Sequence, residues 1–285
     1  MLHKSVAYLS VLVVLCQSVP ASVRVVPFVD SSAPIKFREV IAEPAPKLPS
    51  NLASYAYAVD FSAPASLSQM QFFKESEYSA VFIRVYNPYG QGCFDTNASS
   101  SIRNAYSVGL GTEIYMTPQP ASNKQGYQQM DEVYQGLTGK GINVRSIWIQ
   151  VTSPTNWQGS ANYNVYFINS IVSRAKQYGM AVGIYTSFYD WNQITNGYSS
   201  IDSDVLLWYW DIFGRGGNDE SPPNFDDFRP FGSWNAPAVK QFAQAEQLSS
   251  ITVNRNVYFA ISMLKANDAV EDGKIYAGGF IVGNH

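Results

Sequence analysis

Two polar side chains near the end of a hydrophobic segment are the first candidates for chemistry in this sequence. Gln150 and Thr152 end the stretch 146–152, whose other residues are mostly apolar or aromatic and predict a buried strand. Residues at positions i and i+2 of a strand point to the same face. We therefore expect Gln150 and Thr152 to project together into a cleft, where they present an amide and a hydroxyl but no carboxylate.

The scarcity of histidine and cysteine excludes several kinds of active site. The two histidines are His3 and His285, so the interior of the chain has none. This argues against a Ser-His-Asp or Cys-His arrangement and against a histidine-ligated zinc, and we expect neither a metal nor a cofactor. Of the two cysteines, Cys16 lies in the N-terminal apolar run. If that run is removed, Cys93 remains alone, and we expect a buried, inert thiol rather than a bridge to another chain.

The first 21 residues predict a secretory signal peptide. A short positive region with Lys4 precedes the apolar run 6–16, and Val19 and Ala21 provide a small-residue cleavage site. The run is too short to span a bilayer. We therefore expect a secreted protein that begins at Ser22, with the lysosome and the gut lumen as candidate destinations, and no membrane partner.

Composition favours a folded protein that binds a polar polymer. Of the 285 residues, 46% are hydrophobic, which is ample for a core, and only 14% are charged. Without residues 1–21 the chain has 18 Lys and Arg against 22 Asp and Glu, a balance of −4, and it has no basic tract. Nucleic acid is excluded as a partner because its binding depends on clustered Lys and Arg. We expect a monomer.

The hydrophobic periodicity predicts an α/β barrel between residues 55 and 262. Residues 22–54 are rich in Pro, Ala and Ser and indicate a linker or arm, and residues 263–285 are a tail that we do not place. Five apolar strands alternate with helices, which indicates parallel βαβ units. Helices are short or missing after Thr186, and a doubly wound open sheet is the main alternative. The predicted strands are 56–60, 80–86, 112–116, 146–152, 181–186, 204–210, 238–242 and 256–261.

In such a barrel the active site lies at the carboxyl ends of the strands. The residues near those ends form an aromatic rim with a few polar groups, which suits a polysaccharide because aromatic faces stack on sugar rings. The alternative is that these aromatic side chains fill the barrel interior. The residues concerned are Asp60, Tyr86, Tyr115, Gln150, Thr152, Tyr185 and 208–211.

The order of these segments resembles glycoside hydrolase family 25, the lysozyme family with an irregular (β/α)5(β)3 barrel. The resemblance covers about residues 55–260, and the version of the fourth strand seen here is similar to a divergent animal branch linked to antibacterial defence. The matching segments are Tyr57-Ala58-Val59-Asp60-Phe61-Ser62, Phe82-Ile83-Arg84, Ile147-Trp148-Ile149-Gln150-Val151-Thr152, Gly183-Ile184-Tyr185-Thr186, Leu207-Trp208 and Val253-Asn254-Arg255-Asn256.

The resemblance also identifies a departure at the catalytic position. The fourth strand of the family reads Asp-x-Glu, and here Gln150 stands at the Asp position and Thr152 at the Glu position. Neither an amide nor a threonine hydroxyl serves as a general acid near neutral pH. Asp60 is retained from the family pattern, whereas Asn254 stands where the family usually has Asp.

Three interpretations follow. The first is an active lysozyme-type hydrolase of bacterial peptidoglycan in innate antibacterial defence, with Asp60 and, as a replacement acid, Asp211 or Glu113. The second is a binding protein that keeps the groove but has lost hydrolysis. The third, an unrelated structural or storage protein, has little support. In the first two the sugar chain would contact Tyr86, Glu113, Tyr115, Trp148, Gln150, Thr152, Tyr185 and Trp208.

Overall fold

Strands and helices alternate through the first half of the chain, as its periodicity predicts. The structure is a computed structural model that describes residues 41–46, 55–214, 219–260 and 274–279. These residues belong to one unit that spans 33–285. The predicted signal peptide, together with most of the predicted arm and tail, lies outside the described residues. Within the described ranges, no helix combines the length and the apolar character that a bilayer crossing requires.

The described residues form eleven strands and five α-helices. The strands are β1 (Tyr55–Phe61), β2 (Ala80–Asn87), β3 (Cys93–Phe94), β4 (Gly111–Met116), β5 (Ile142–Val144), β6 (Ser146–Gln150), β7 (Ala181–Thr186), β8 (Leu206–Trp210), β9 (Val239–Leu248), β10 (Ile251–Phe259) and β11 (Ile275–Ala277). The helices are α1 (Leu67–Glu75), α2 (Ala98–Ser107), α3 (Gly126–Thr138), α4 (Ala161–Gln177) and α5 (Phe188–Thr195), with a 3₁₀ turn at Pro154–Asn156.

Eight of these strands close into a barrel. Their order is β1-β10-β9-β8-β7-β6-β4-β2, and pairing of β1 with β2 completes the ring. Neighbours run parallel except at β9–β10 and β10–β1. The predicted (β/α)5(β)3 barrel is therefore confirmed, and the open doubly wound sheet is excluded.

Local sequence signals set where the helices begin. Ser66 caps α1 and forms with Gln69 the reciprocal capping box that the sequence predicts. Ser187 caps α5 by accepting a hydrogen bond from the backbone N–H of Asp190. Because Ser187 directly follows β7, α5 begins at the carboxyl end of the barrel, and its first turn lies beside the predicted site.

The barrel wall separates two hydrophobic cores. The larger one lies between strands and helices and is mostly aliphatic. The smaller one fills the barrel interior and is mostly aromatic and alanine. Its members are Ala56, Ala58, Ala80, Phe82, Tyr115, Trp148, Tyr185, Trp208, Val239 and Tyr258.

Two short segments, residues 41–46 and 274–279, contact the barrel strands or pair with β5. In the predicted arm, the backbone N–H of Ala42 donates to the carbonyl of Gln247 in β9. In the predicted tail, β11 pairs in parallel with β5, and the N–H of Gly279 donates to the hydroxyl of Ser146 at the start of β6. Part of each predicted segment is therefore packed against the barrel.

Cys93 corrects one expectation. It lies in β3 and is disulfide-bonded, rather than being an isolated thiol.

Candidate active site

Asp60 is the centre of the polar site inside the barrel. It lies near the carboxyl end of β1 and is 1% exposed. Three side-chain amides donate hydrogen bonds to its carboxyl group, from Gln241 at 2.8 Å, Asn254 at 2.7 Å and Asn256 at 2.9 Å. These amides come from β9 and β10, and the antiparallel register that pairs Asp60 with Asn254 brings them together.

The surroundings of Asp60 favour its protonated form. Burial raises the pKa of this carboxyl from 3.8 to about 6, although the three amide hydrogen bonds act in the opposite direction. A carboxyl with a pKa near 6 can both give and take a proton in weakly acidic solution. Asp60 is thus chemically suited to general acid or base work.

Gln150 and Thr152 lie together at the end of β6, as the i, i+2 spacing predicts. The amide of Gln150 donates to the Thr152 hydroxyl at 3.0 Å, and its carbonyl accepts from Thr117 at 2.6 Å. Both residues are half-buried. This polar pair can bind a sugar hydroxyl or acetamido group but has no acid to donate.

Four of the aromatic residues predicted to contact the sugar chain fill the barrel interior instead. Trp148 and Trp208 are completely buried, and Tyr115 and Tyr185 are only 5% and 4% exposed. Tyr185 stacks on Trp208 with ring centroids 4.0 Å apart. Because these rings contact one another, Trp148 and Trp208 offer no free face to a sugar. For these four residues, the structure agrees with the alternative prediction that the aromatic side chains fill the barrel interior.

Tyr86 faces away from the barrel interior. Its ring belongs to the core between strands and helices, and its hydroxyl donates to Glu132 of α3 at 3.2 Å. A register irregularity between Arg84 and Tyr86 explains this position, because the bulge interrupts the alternation that would otherwise turn Tyr86 inward. The structure therefore does not bring Tyr86 into the groove.

Glu113 lies inside the barrel but far down its axis. Its carboxylate accepts hydrogen bonds from the hydroxyl of Ser146 at 2.9 Å and from the indole of Trp148 at 3.0 Å. Ser146 begins β6, so Glu113 sits towards the amino ends of the parallel strands. The structure therefore separates Glu113 from the carboxyl end where Asp60 lies, and it does not occupy the position of a replacement acid.

Asp211 lies on the outer side of β8. Its side chain interacts with Asp227, which accepts a hydrogen bond from Tyr209 at 2.7 Å. Tyr209 belongs to the outer core, whereas Trp208 points into the barrel. Burial and the contact with Asp227 raise the pKa of Asp211, but alternation along β8 turns it away from Asp60.

Three functional residues of this region, Gln241, Asn256 and Asp190, were not predicted from the sequence. Gln241 and Asn256 hold Asp60, and an Asn-x-Asn pattern on a strand was the available signal, since both Asn residues share a face. Asp190 lies in the first turn of α5, where the Ser187 cap accounts for its position without any functional role. Its carboxylate accepts a hydrogen bond from Trp210 at 3.0 Å and it is 3% exposed.

The described ranges contain no group of three or more His, Cys, Asp or Glu side chains placed to hold a metal ion.

Comparison with known proteins gives consistent results. A family model described as "Lys-1: Lysozyme-like protein 1" matches residues 51–242. Lysozyme-like protein 7 of Caenorhabditis elegans is 64% identical over 284 residues, covering 100% of this chain and 99% of that protein. Probable GH family 25 lysozyme 2 of Dictyostelium discoideum is 31% identical, covering 70% of this chain and 89% of that protein.

A solved structure has the same fold. The muramidase from Trichobolus zukalii aligns with a TM-score of 0.56 over 71% of this chain and 93% of its own, at 19% sequence identity. At that identity the match establishes the barrel architecture alone.

Proposed function

Because the chain belongs to the lysozyme-like branch of glycoside hydrolase family 25, we propose that it acts on bacterial peptidoglycan as a lysozyme, by cleaving the β-1,4 bond between aminosugars. The substrate is a neutral to anionic polysaccharide, and the absence of a basic tract from the sequence is compatible with recognition by hydrogen bonds and ring contacts.

The observation that carries this proposal is the state of Asp60. Its buried carboxyl has a pKa of about 6, three amides fix its orientation, and it stands near the carboxyl end of a family 25 barrel strand. Burying a carboxyl destabilises a protein unless the group is compensated. A buried carboxyl group with a raised pKa at the carboxyl end of a barrel is typical of an active site.

A second candidate function is supported by the pair at the end of β6. Gln150 and Thr152 replace the two family carboxylates and hydrogen-bond to each other. Such a pair suits a protein that binds peptidoglycan without cleaving it, because amide and hydroxyl groups recognise sugars but transfer no proton.

The two functions are distinguished by measuring clearing and binding together. Purified bacterial walls are incubated with the wild-type protein, with Asp60→Asn, and with Asp131→Asn, which removes a carboxylate of α3 that contacts Arg174 and Tyr178 on the outside of the barrel. Hydrolysis predicts clearing by the wild type and by Asp131→Asn, and loss of clearing in Asp60→Asn with binding retained. If the wild-type protein sediments with the walls and the walls do not clear, the result supports the binding function.

We propose in addition that the protein is secreted through its N-terminal signal peptide and takes part in antibacterial defence. Expression in a eukaryotic cell line with a C-terminal tag tests the first part. Mature protein in the medium that begins at Ser22 is the expected result, and retention of the full chain inside the cell contradicts it.

A further inference from the structure

We propose that Asp190 is the second carboxylate of the active site, and that it accepts the proton of the attacking water opposite Asp60. This inference rests on the proposed hydrolytic function. It assigns the role left vacant by Gln150 and Thr152 to a residue of α5.

Asp190 stands at the carboxyl end of the barrel, between the ends of β6 and β8. It is the third residue of α5, and its backbone N–H donates to the Ser187 hydroxyl at 3.1 Å. Its carboxylate accepts from the indole of Trp210 at 3.0 Å, and the Trp210 side chain packs against the interior core. Asp190 thus faces the barrel mouth, in contrast to Asp211.

Asp190 is also linked to the position where the family carries its acid. The backbone N–H of Ser153 donates to the Asp190 side chain, and Ser153 directly follows Thr152. Ser153 has a φ of 58°, which is the left-handed region that a non-glycine residue seldom adopts. Such a conformation persists only where the surroundings hold it, and it occurs often at functional sites.

The hydroxyl of Tyr185 connects the two acids electrostatically. Burial raises the pKa of Tyr185 well above 10, and the negative charges of Asp60 and Asp190 raise it further. Both carboxyl groups therefore lie within electrostatic reach of one phenol group. Two carboxyl groups around one cleft are what glycoside hydrolysis ordinarily requires.

The two acids accept hydrogen bonds from different donors, and burial raises the pKa of each. Asp60 has a pKa of about 6, so it carries a proton in weakly acidic solution. Burial also raises the pKa of Asp190, but hydrogen bonds from Trp210, Ser187 and Ser153 stabilise its ionised form. Different environments for two neighbouring acids are the usual basis for separate acid and base roles.

Other titratable or charged side chains near the pair leave this assignment intact. The phenols of Tyr115 and Tyr185 stay neutral because burial raises the pKa of each above its ordinary value. The remaining charges that act on Tyr115 are those of Arg84 and Asp95, which face each other at 3.9 Å.

Asp60 and Asp190 together account for the protons that move during hydrolysis. Asp60 gives its proton to the glycosidic oxygen as the bond between that oxygen and the anomeric carbon breaks. Water supplies the hydroxyl that bonds to the anomeric carbon, and its proton passes to Asp190. Exchange with solvent returns a proton to Asp60 and removes one from Asp190.

The test measures kcat/KM from pH 3 to pH 8 by the appearance of reducing ends from purified peptidoglycan. Asp190→Ala is expected to lose about 10²-fold or more, the scale of general base catalysis. Sodium azide or formate is expected to restore part of the activity, because a small anion can occupy the vacated space. Asp131→Ala serves as the matched control and keeps wild-type activity.

Trp210→Phe is a second variant, and its pH profile tests the inference even if the Asp190→Ala protein does not fold. It removes one hydrogen-bond donor from the Asp190 carboxylate, so the pKa of Asp190 and the acidic limb of the pH profile move to higher pH. Asp60→Asn is instead expected to abolish activity at every pH, because the proton donor is lost.

The outcomes separate this inference from the function on which it rests. A folded Asp190→Ala protein with wild-type activity overturns the inference alone. The inference is also overturned if the acidic limb of the pH profile does not move in Trp210→Phe. It is likewise overturned if no anion restores the activity lost in Asp190→Ala. Each of these results indicates a structural role for Asp190. A wild-type protein that releases no reducing ends at any pH overturns both the hydrolytic function and the inference.

Discussion

At the scale of single residues, Asp60 combines reactivity with a stability cost. Its pKa is about 6 in the folded protein against 3.8 as the reference value. The folded state therefore binds the proton more tightly than the unfolded state, so this group lowers the free energy of unfolding as pH rises from about 4 to about 6. The loss amounts to about 3 kcal/mol, from 1.36 kcal/mol for each unit of pKa.

Asp60→Asn removes the charge and keeps the shape, and we predict a more stable, inactive protein. At pH 7 the free energy of unfolding should exceed that of the wild type by about 1–3 kcal/mol, and the difference should shrink towards pH 4. Urea denaturation at both pH values measures this. A variant that is less stable at pH 7, or a difference that does not change with pH, would contradict the account of Asp60.

The end of β6 offers a gain-of-function prediction. Gln150→Asp combined with Thr152→Glu restores the Asp-x-Glu pattern at two half-buried positions that already contact each other at 3.0 Å. We expect wall clearing to appear or to increase, by up to about 10²-fold, because a carboxylic acid is added at the position where the family carries its general acid. Gln150→Glu with Thr152→Ser is the control. No gain in a folded double mutant would mean that other groove residues also prevent hydrolysis.

How far sequence predicts such residues depends on their context. Asp60 was found because it ends a clear strand, and Gln150 and Thr152 because strand alternation fixes their common face. Asp190 was missed because a Ser-x-x-Asp sequence at a helix start has a sufficient explanation in capping. Its contact with Trp210 joins residues 20 positions apart, and no local pattern predicts that contact.

At the scale of elements, close packing inside the barrel constrains β7. A Cβ atom on Gly183 would lie 2.1 Å from Cε3 of Trp148. Gly183→Ala should therefore destabilise the protein by about 1–3 kcal/mol, the usual cost of overpacking a core. Thermal or urea unfolding measures the change. In a Trp148→Leu background the same substitution should cost much less, and an equal cost in both backgrounds would show that the two side chains do not compete for space.

Some features of the strands are predictable from the sequence pattern and others are not. The strand 181–186 was predicted with the bounds of β7, because β-branched runs between helices are distinctive. The bulge in β2 was not predictable, since no glycine or proline marks it, and it reversed the direction of Tyr86. The aromatic residues of β4, β6, β7 and β8 were ambiguous from sequence, because a ring that stacks on sugar and a ring that fills a barrel have the same spacing.

At the scale of the whole molecule, closure of the barrel determines which groups can meet. Asp60 of β1 reaches amides of β9 and β10 only because the last strands return to pair with the first. The packing of residues 41–46 and 274–279 was not predicted, because segments this short carry no periodicity. Residues 41–46 contact Gln247 near the end of β9, whereas residues 274–279 pair with β5 and contact the start of β6.

The most direct test of the whole account is the chemistry of the released products. Purified peptidoglycan is digested with the wild-type protein and with Asp60→Asn at pH 5 to 6, and soluble fragments are reduced and identified by mass spectrometry. The account predicts disaccharide-based fragments with new reducing ends from the wild type and none from Asp60→Asn. Walls that bind the wild-type protein but yield no new reducing ends would contradict it.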